Sequence, residues 1–198
     1  MTDRPEDIVD IALRVARALE SVGARYFVGG SLASSLDGQP RATNDIDVVI
    51  DLPLGKIGAF ASALGPDFEI DRDTLRDAVL HGRSANIFYL PQVLKIDLFG
   101  HAHGPYDESE FSRRRSVTVR EGQQLVVKAP EDTILRKMLW YRDGGEVSDR
   151  QWSDILGVLR AQANGLERDY LRVWAIRLGV GDLLDRATGQ VTHEETAG

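Results

Sequence analysis

Apolar residues recur at helical spacing between residues 4 and 22, where Ile8, Ile11, Ala12, Val15, Ala16, Leu19 and Val22 share one side, with Pro5 near the start and Gly23 just beyond the end. Positions three and four apart lie on one face of a helix, so this stretch predicts an amphipathic helix. The pattern then shortens. Tyr26-Phe27-Val28 is an apolar run entering Gly29-Gly30-Ser31, a brief helix-compatible piece reaches Leu36, and Asp37-Gly38-Gln39-Pro40 reads as a turn. Ile46-Asp47-Val48-Val49-Ile50 is β-branched and predicts a strand. Lys56 to Leu64 and Thr74 to Leu80 read as helices, the second with Asp73 as N-cap. Ser84 to Leu90 and Gln92 to Phe99 predict two strands interrupted at Pro91, which cannot donate to a ladder. Val117-Thr118-Val119 and Leu125-Val126-Val127 flank Glu121-Gly122-Gln123 as a hairpin.

From Pro130 onward the pattern is helical: Glu131 to Asp143 stopped by Gly144-Gly145, Ser148 capping a helix to about Ala163, and Glu167 to Leu178 stopped by Gly179. These periods predict a mixed α/β (α+β) fold, with a mixed β-sheet core over residues 1–129 and a helical bundle over 130–186. Residues 187–198 are polar and lack periodicity, and are expected to form a flexible tail.

Composition narrows the class. Of 198 residues, 42% are hydrophobic and 28% charged, values that permit a real core and exclude disorder and collagen-like sequence. There is no cysteine, which removes disulfide scaffolds, thiolate metal sites and cysteine nucleophiles, and agrees with a reducing cytoplasm. Asp3, Glu6, Asp7, Asp10 and Glu20 stand where a secretory signal needs a basic start and an apolar run, and no stretch has the roughly 20 apolar residues of a membrane span. The chain is thus expected to be cytoplasmic, with no membrane partner. The net charge of −7 hides a reversal, because residues 111–142 carry eight basic and three acidic side chains, 8 − 3 = +5. Such a stretch, which includes Arg113, Arg114 and Arg115, focuses a polyanion on one place in an otherwise acidic protein, or simply covers a solvated turn.

Candidate chemistry concentrates between Val28 and Asp51. A strand delivers Gly29-Gly30-Ser31 to a helix start, so bare backbone and a hydroxyl meet the positive end of a helix, which suits phosphate. Asp45 and Asp47, two apart at the entrance of an apolar strand, point to one face. Two carboxylates there repel each other unless a cation lies between them, and hard oxygen pairs suit Mg2+. Asp97, inside Leu94-Lys95-Ile96-Asp97-Leu98-Phe99, is a third acid in an apolar strand. Three acids holding two cations opposite a phosphate seat form the apparatus of phosphoryl or nucleotidyl transfer. The pair Asp71 and Asp73 has the same spacing but precedes a helix and reads as capping. His101 and His103 follow a strand and, with no third soft ligand nearby, read as loop residues.

Gly29-Gly30-Ser31, then Ala33, Gly38, Arg41, Thr43 and Asp45-Ile46-Asp47 resembles the signature of the polymerase-β-like nucleotidyltransferase superfamily, in the variant found in AbiEii-type toxins and lincosamide nucleotidyltransferases. The resemblance implies that the glycine-serine turn, with Arg41 and Thr43, holds the triphosphate of a nucleotide, and that Asp45 and Asp47 bind divalent metal. Asp97 matches the third acid, which serves as base on the attacking hydroxyl. Residues 130–137, PEDTILRK, resemble a helical motif of the toxins and put Lys137 on the phosphates; residues 150–155, RQWSDI, resemble another, with Asp154 as its later acid and Gln151 where an earlier acid is usual. On helical geometry, Thr133, Lys137, Trp140 and Tyr141 lie opposite the stripe of Ile134, Leu135, Met138 and Leu139, a cleft wall or a snorkelling lysine. Asp154 lies opposite Trp152, Ile155, Leu156 and Leu159, where a pair with Arg150 explains it equally.

The expected reaction moves a nucleoside monophosphate from a triphosphate to an acceptor hydroxyl, using two Mg2+ ions, in a cleft between the two predicted domains. By resemblance the acceptor is RNA, the 3′ end of a tRNA, and the chain is the toxin of a toxin-antitoxin pair with an antitoxin protein as partner. A small-molecule nucleotidyltransferase that inactivates an antibiotic uses the same residues, and a non-catalytic relic that binds nucleotide or a partner is the reading from another class.

Overall fold

The computed structural model describes residues 6–38 and 45–197. In chain order the elements are α1 (Ile8–Ser21), β1 (Arg25–Val28), α2 (Gly30–Asp37), β2 (Ile46–Asp51), α3 (Ile57–Leu64), β3 (Phe68–Ile70), α4 (Arg72–His81), β4 (Ser84–Tyr89), β5 (Leu94–Gly100), α5 (Pro105–Ser112), β6 (Arg115–Arg120), β7 (Gln123–Val127), α6 (Pro130–Asp143), α7 (Asp149–Ala161), α8 (Arg168–Arg177) and α9 (Gly181–Ala197). They form two compact units, Met1–Leu32 with Ala42–Lys128 and Ala33–Arg41 with Ala129–Gly198.

The first unit is built on a seven-stranded sheet of order β3-β4-β5-β2-β1-β7-β6. The β2–β5 and β1–β7 pairs are parallel and the others antiparallel. Alternation decides which side each residue faces. Ile46, Val48 and Ile50 of β2, Ile96 and Leu98 of β5, and Ala85, Ile87 and Tyr89 of β4 are all buried, while the residues between them are half-buried or exposed. Helices α1 and α4 pack on the strands, and α3 packs on both of them. The start of α1 is fixed by a reciprocal cap in which Asp7 accepts from the amides of Val9 and Asp10 while Asp10 accepts from the amide of Asp7. At α4 the cap is Asp71, which accepts from the amides of Asp73 and Thr74 at 2.9 and 3.0 Å, so the expected cap at Asp73 moves two residues earlier.

The second unit is helical. Helix α6 packs on α7 and α8, and α9 packs on α7 and α8 in turn. Pro130 occupies the first turn of α6, where its missing N–H costs nothing. The acids beside it tie α6 to α8: Glu131 accepts from the amide of Glu167 at 2.8 Å, and Asp132 accepts from the Tyr170 hydroxyl at 2.7 Å. The end of α2 approaches α7 so closely that a Cβ on Gly38 would lie 3.2 Å from the backbone of Gly157 and Val158.

Three elements differ from the sequence expectation. Strand β3 has three residues, and α5 has only Tyr106 and Phe111 as buried apolar positions, too few for periodicity to show. Residues 187–198, expected as a flexible tail, are helical through Ala197 as part of α9. One apolar residue per turn sustains that helix: Leu183, Ala187 and Val191 are 1%, 0% and 7% exposed. A stripe that narrow, among Thr188, Gln190 and Thr192, is invisible until α7 is there to cover it.

Candidate active site

The glycine turn and the acids meet in the first unit. At the end of β1 the Gly29 amide donates to the Asp47 carbonyl at 2.9 Å, which carries the β1–β2 ladder one residue further. Gly30 then turns the chain into α2 with φ +57°. A Cβ at this position would lie 1.7 Å from Asp47 Oδ2 and 2.6 Å from Cγ. Glycine is required here both by the left-handed backbone and by the carboxylate pressed against it. Ser31, half-buried, opens the first turn of α2, where helix amides lack intrahelical acceptors.

The parallel β2–β5 register sets Asp47 directly beside Asp97. Antiparallel pairing with β4 adds Asn86 to the same row, so two acids and an amide cross three adjacent strands on the half-exposed face. Asp45, exposed, precedes β2 by one residue and has the same parity as Asp47. Lys95 reaches this group: its Nζ lies 2.9 Å from Asp97 Oδ2. The hydrogen bond to Asp97, with further attraction from Asp97, Asp45 and Asp47, raises the Lys95 ammonium above its ordinary range. The three carboxylates thus make this end of the sheet locally negative, which favours the charged form of the ammonium among them. Asp51, at the other end of β2, is instead matched by Arg25, its partner across β1.

Behind the turn is a buried ion pair. Lys128, 4% exposed, lies 2.7 Å from Glu110, 3% exposed. The lysine flanks Gly29, whose Cβ would meet Lys128 Cε at 3.5 Å. Sequence reasoning missed Lys95, Asn86 and Lys128 as neighbours of the site. Lys95 carried a signal, being a charged residue two positions from Asp97 and hence on its face; Lys128 carried none.

In the second unit Lys137 Nζ lies 2.7 Å from Asp154 Oδ2, with the two side chains 6% and 10% exposed. This buried contact joins α6 to α7 and gives Asp154 a cation that spacing along one helix does not reveal. Of the aromatics expected beside Lys137, Trp140 is exposed, whereas Tyr141 is buried and stacks on Trp152 with ring centroids 5.2 Å apart. Arg41 and Thr43 lie outside the described residues. Arg113, Arg114 and Arg115 are half-buried, and Arg114 donates to the Phe111 carbonyl at 2.6 Å, so this basic segment is not a merely solvated turn.

No protein-family model matches the chain, and no curated protein matches it in sequence. Solved structures do. The fold is similar to that of the antibiotic-resistance factor ANT(2'')-Ia, with a TM-score of 0.51 and 13% identity over 98% of this chain and 100% of that one. It is also similar to an antigenic nucleotidyltransferase-like protein from Paracoccidioides brasiliensis, with a TM-score of 0.53 and 16% identity over 93% and 95% of the two chains. The chain therefore has a nucleotidyltransferase fold, mixed α/β with a helical C-terminal part. Among the described residues no helix is long and apolar enough to cross a membrane.

Proposed function

We propose that the chain is a metal-dependent nucleotidyltransferase. An acceptor hydroxyl attacks the α-phosphate of a nucleoside triphosphate, the new P–O bond forms as the bond to pyrophosphate breaks, and the hydroxyl proton passes to Asp97. The observation that carries this reading is the row of Asp47 and Asp97 on adjacent strands with Gly30 against the Asp47 carboxylate. Gly29, Gly30 and Ser31 receive the triphosphate at the start of α2, where backbone can approach closely because no Cβ intervenes. Two Mg2+ ions, held by Asp45, Asp47 and Asp97, would neutralise the phosphates and polarise the reacting phosphoryl group. Lys95 holds Asp97 in place until the cations arrive. Lys137 and Asp154 enter through the resemblance alone, as a phosphate-binding lysine and the carboxylate that positions it; Arg41 and Thr43 enter in the same way on the nucleotide.

The acceptor in this reading is an RNA, the 3′ end of a tRNA, and the chain acts in the cytoplasm as an AbiEii-type toxin restrained by an antitoxin protein. The basic segment 111–142 in an acidic chain supports a polyanionic acceptor. A second reading, nucleotidylation of a small antibiotic, is supported by the fold likeness to an antibiotic-resistance factor over nearly the full length of both chains.

One experiment separates them. The protein is incubated with Mg2+ and each labelled triphosphate, with total RNA, with a panel of antibiotics, or with neither. Label in RNA, lost in Asp47→Asn, supports the toxin reading; label in a small acceptor replaces it with the second. Absence of label from every acceptor refutes turnover. If RNA is the acceptor, replacing Arg113, Arg114 and Arg115 by alanine flattens the salt dependence, each lost phosphate contact removing about 0.7 from the log–log slope for single strands.

A further inference from the structure

A second set of ligand-type side chains gathers where β5 leads into α5. His101 and His103 follow directly on Gly100, the last residue of β5. His101 is 4% exposed, and its amide donates to the Ile50 carbonyl at 3.0 Å, which fixes it at the end of the β2–β5 pair. Neither of its ring nitrogens has a hydrogen-bond partner among the described residues. A neutral imidazole has one donor and one acceptor to satisfy, and buried polar atoms are almost always satisfied. The Phe111 ring, centroid 4.7 Å away, walls one side of it.

His103 adopts φ +57°, a left-handed conformation uncommon outside glycine. Its ring lies edge-on to that of His101 with centroids 4.3 Å apart. From the first turn of α5, Glu108 brings Oε1 to 3.1 Å from His103 Nδ1 and 3.9 Å from His101 Nδ1. The neighbouring Asp107 accepts from the Gly104 amide at 3.1 Å and so closes the helix start, while Glu108 turns to the histidines. Sequence gave no third ligand for these histidines; the fold of the loop supplies it.

We propose that His101, His103 and Glu108 form a Zn2+ site, separate from the three aspartates, that fastens α5 to the end of β5. Zinc bonds of about 2.0–2.2 Å in tetrahedral array place ligand atoms roughly 3.3–3.6 Å apart, a range the observed 3.1 and 3.9 Å bracket. Imidazole nitrogen beside one carboxylate selects zinc over Mg2+ or Ca2+, which take oxygen ligands. His103 and Glu108 are 60% and 53% exposed in their side chains, so the ion enters from solvent and solvent completes the fourth position. A plain His103–Glu108 ion pair accounts for the 3.1 Å contact but leaves both nitrogens of His101 without a hydrogen-bond partner among the described residues.

The test uses the full chain, stripped with a chelator and reloaded with Zn2+ alone, reading bound zinc per chain by elemental analysis and the zinc-induced rise in Tm. His103→Gln and Glu108→Gln alter exposed side chains and keep the fold. The wild type and an Asp45→Asn, Asp47→Asn variant should each hold one tight zinc. Losing a direct ligand should weaken binding by at least about 100-fold, beyond the 10–100-fold typical of outer-shell partners, and abolish the Tm rise. Zinc binding that is unchanged in both the His103 and Glu108 variants, or that is lost only with the aspartates, overturns the proposal.

Discussion

Replacing Gly30 by alanine perturbs two things at once, and the structure separates them. A left-handed φ of +57° costs an L-residue with a Cβ about 1–2 kcal/mol. The new Cβ, 1.7 Å from Asp47 Oδ2, also forces the carboxylate away, and an off-rotamer side chain costs about 0.5–1.5 kcal/mol. Together these give about 1.5–3.5 kcal/mol, which for a chain of this size lowers Tm by about 3–14 °C. Truncating the carboxylate reduces the second component: in an Asp47→Ala background, where a Cβ 3.0 Å away remains, the Gly30→Ala change should cost little beyond the backbone part, leaving a coupling of roughly 1 kcal/mol. Thermal and urea denaturation of the four proteins measure the cycle. Equal Tm in wild type and Gly30→Ala would refute the turn geometry, and strict additivity would refute the contact with Asp47. Under the proposed function, nucleotide use should fall in Gly30→Ala as well, since the displaced carboxylate is the one assigned to metal.

Lys137→Ala should destabilise the second unit by about 3–5 kcal/mol in urea, because it leaves the Asp154 carboxylate buried without its ammonium, and a Lys137→Met, Asp154→Leu double variant should recover most of that loss; a cost below about 1 kcal/mol for the single variant would refute a buried pair. Tyr26 is held above its usual range by burial and by its hydrogen bond to Glu20. The folded protein thus keeps the phenol protonated, and the stabilisation is complete below the unfolded pKa of about 10 and declines as pH rises past it. Urea midpoints should therefore fall more steeply above pH about 10 in the wild type than in Tyr26→Phe, and parallel curves would refute the assignment. Ending the chain after Arg186 should lower stability by at least about 2 kcal/mol through exposure of surface now covered by Ala187 and Val191; an unchanged Tm would return these residues to the status of a tail.

The sequence by itself determined most of the local structure. Periodicity located α1, α6, α7, α8 and the apolar strands, because a residue spacing of 3.6 or 2 puts every apolar side chain of an element on one face before anything packs against it. The motif from Gly29 to Asp47 was legible for the same reason: Gly30 and the two aspartates are close along the chain, and acids in a β-branched strand stand out against their surroundings. What joined residues far apart was decided only by tertiary structure. Asp97 lies beside Asp47 because β5 pairs in parallel with β2, a register that no local pattern specifies. Asp154 pairs with Lys137 on another helix, a contact between residues 17 apart that only the packing of α6 on α7 creates. Glu108 meets His101 and His103 through a loop conformation that sequence spacing does not encode. Helix α9 persists through residues 187–197 because its narrow stripe finds a neighbour, and an isolated helix with so little apolar surface would have nothing to offset its conformational entropy.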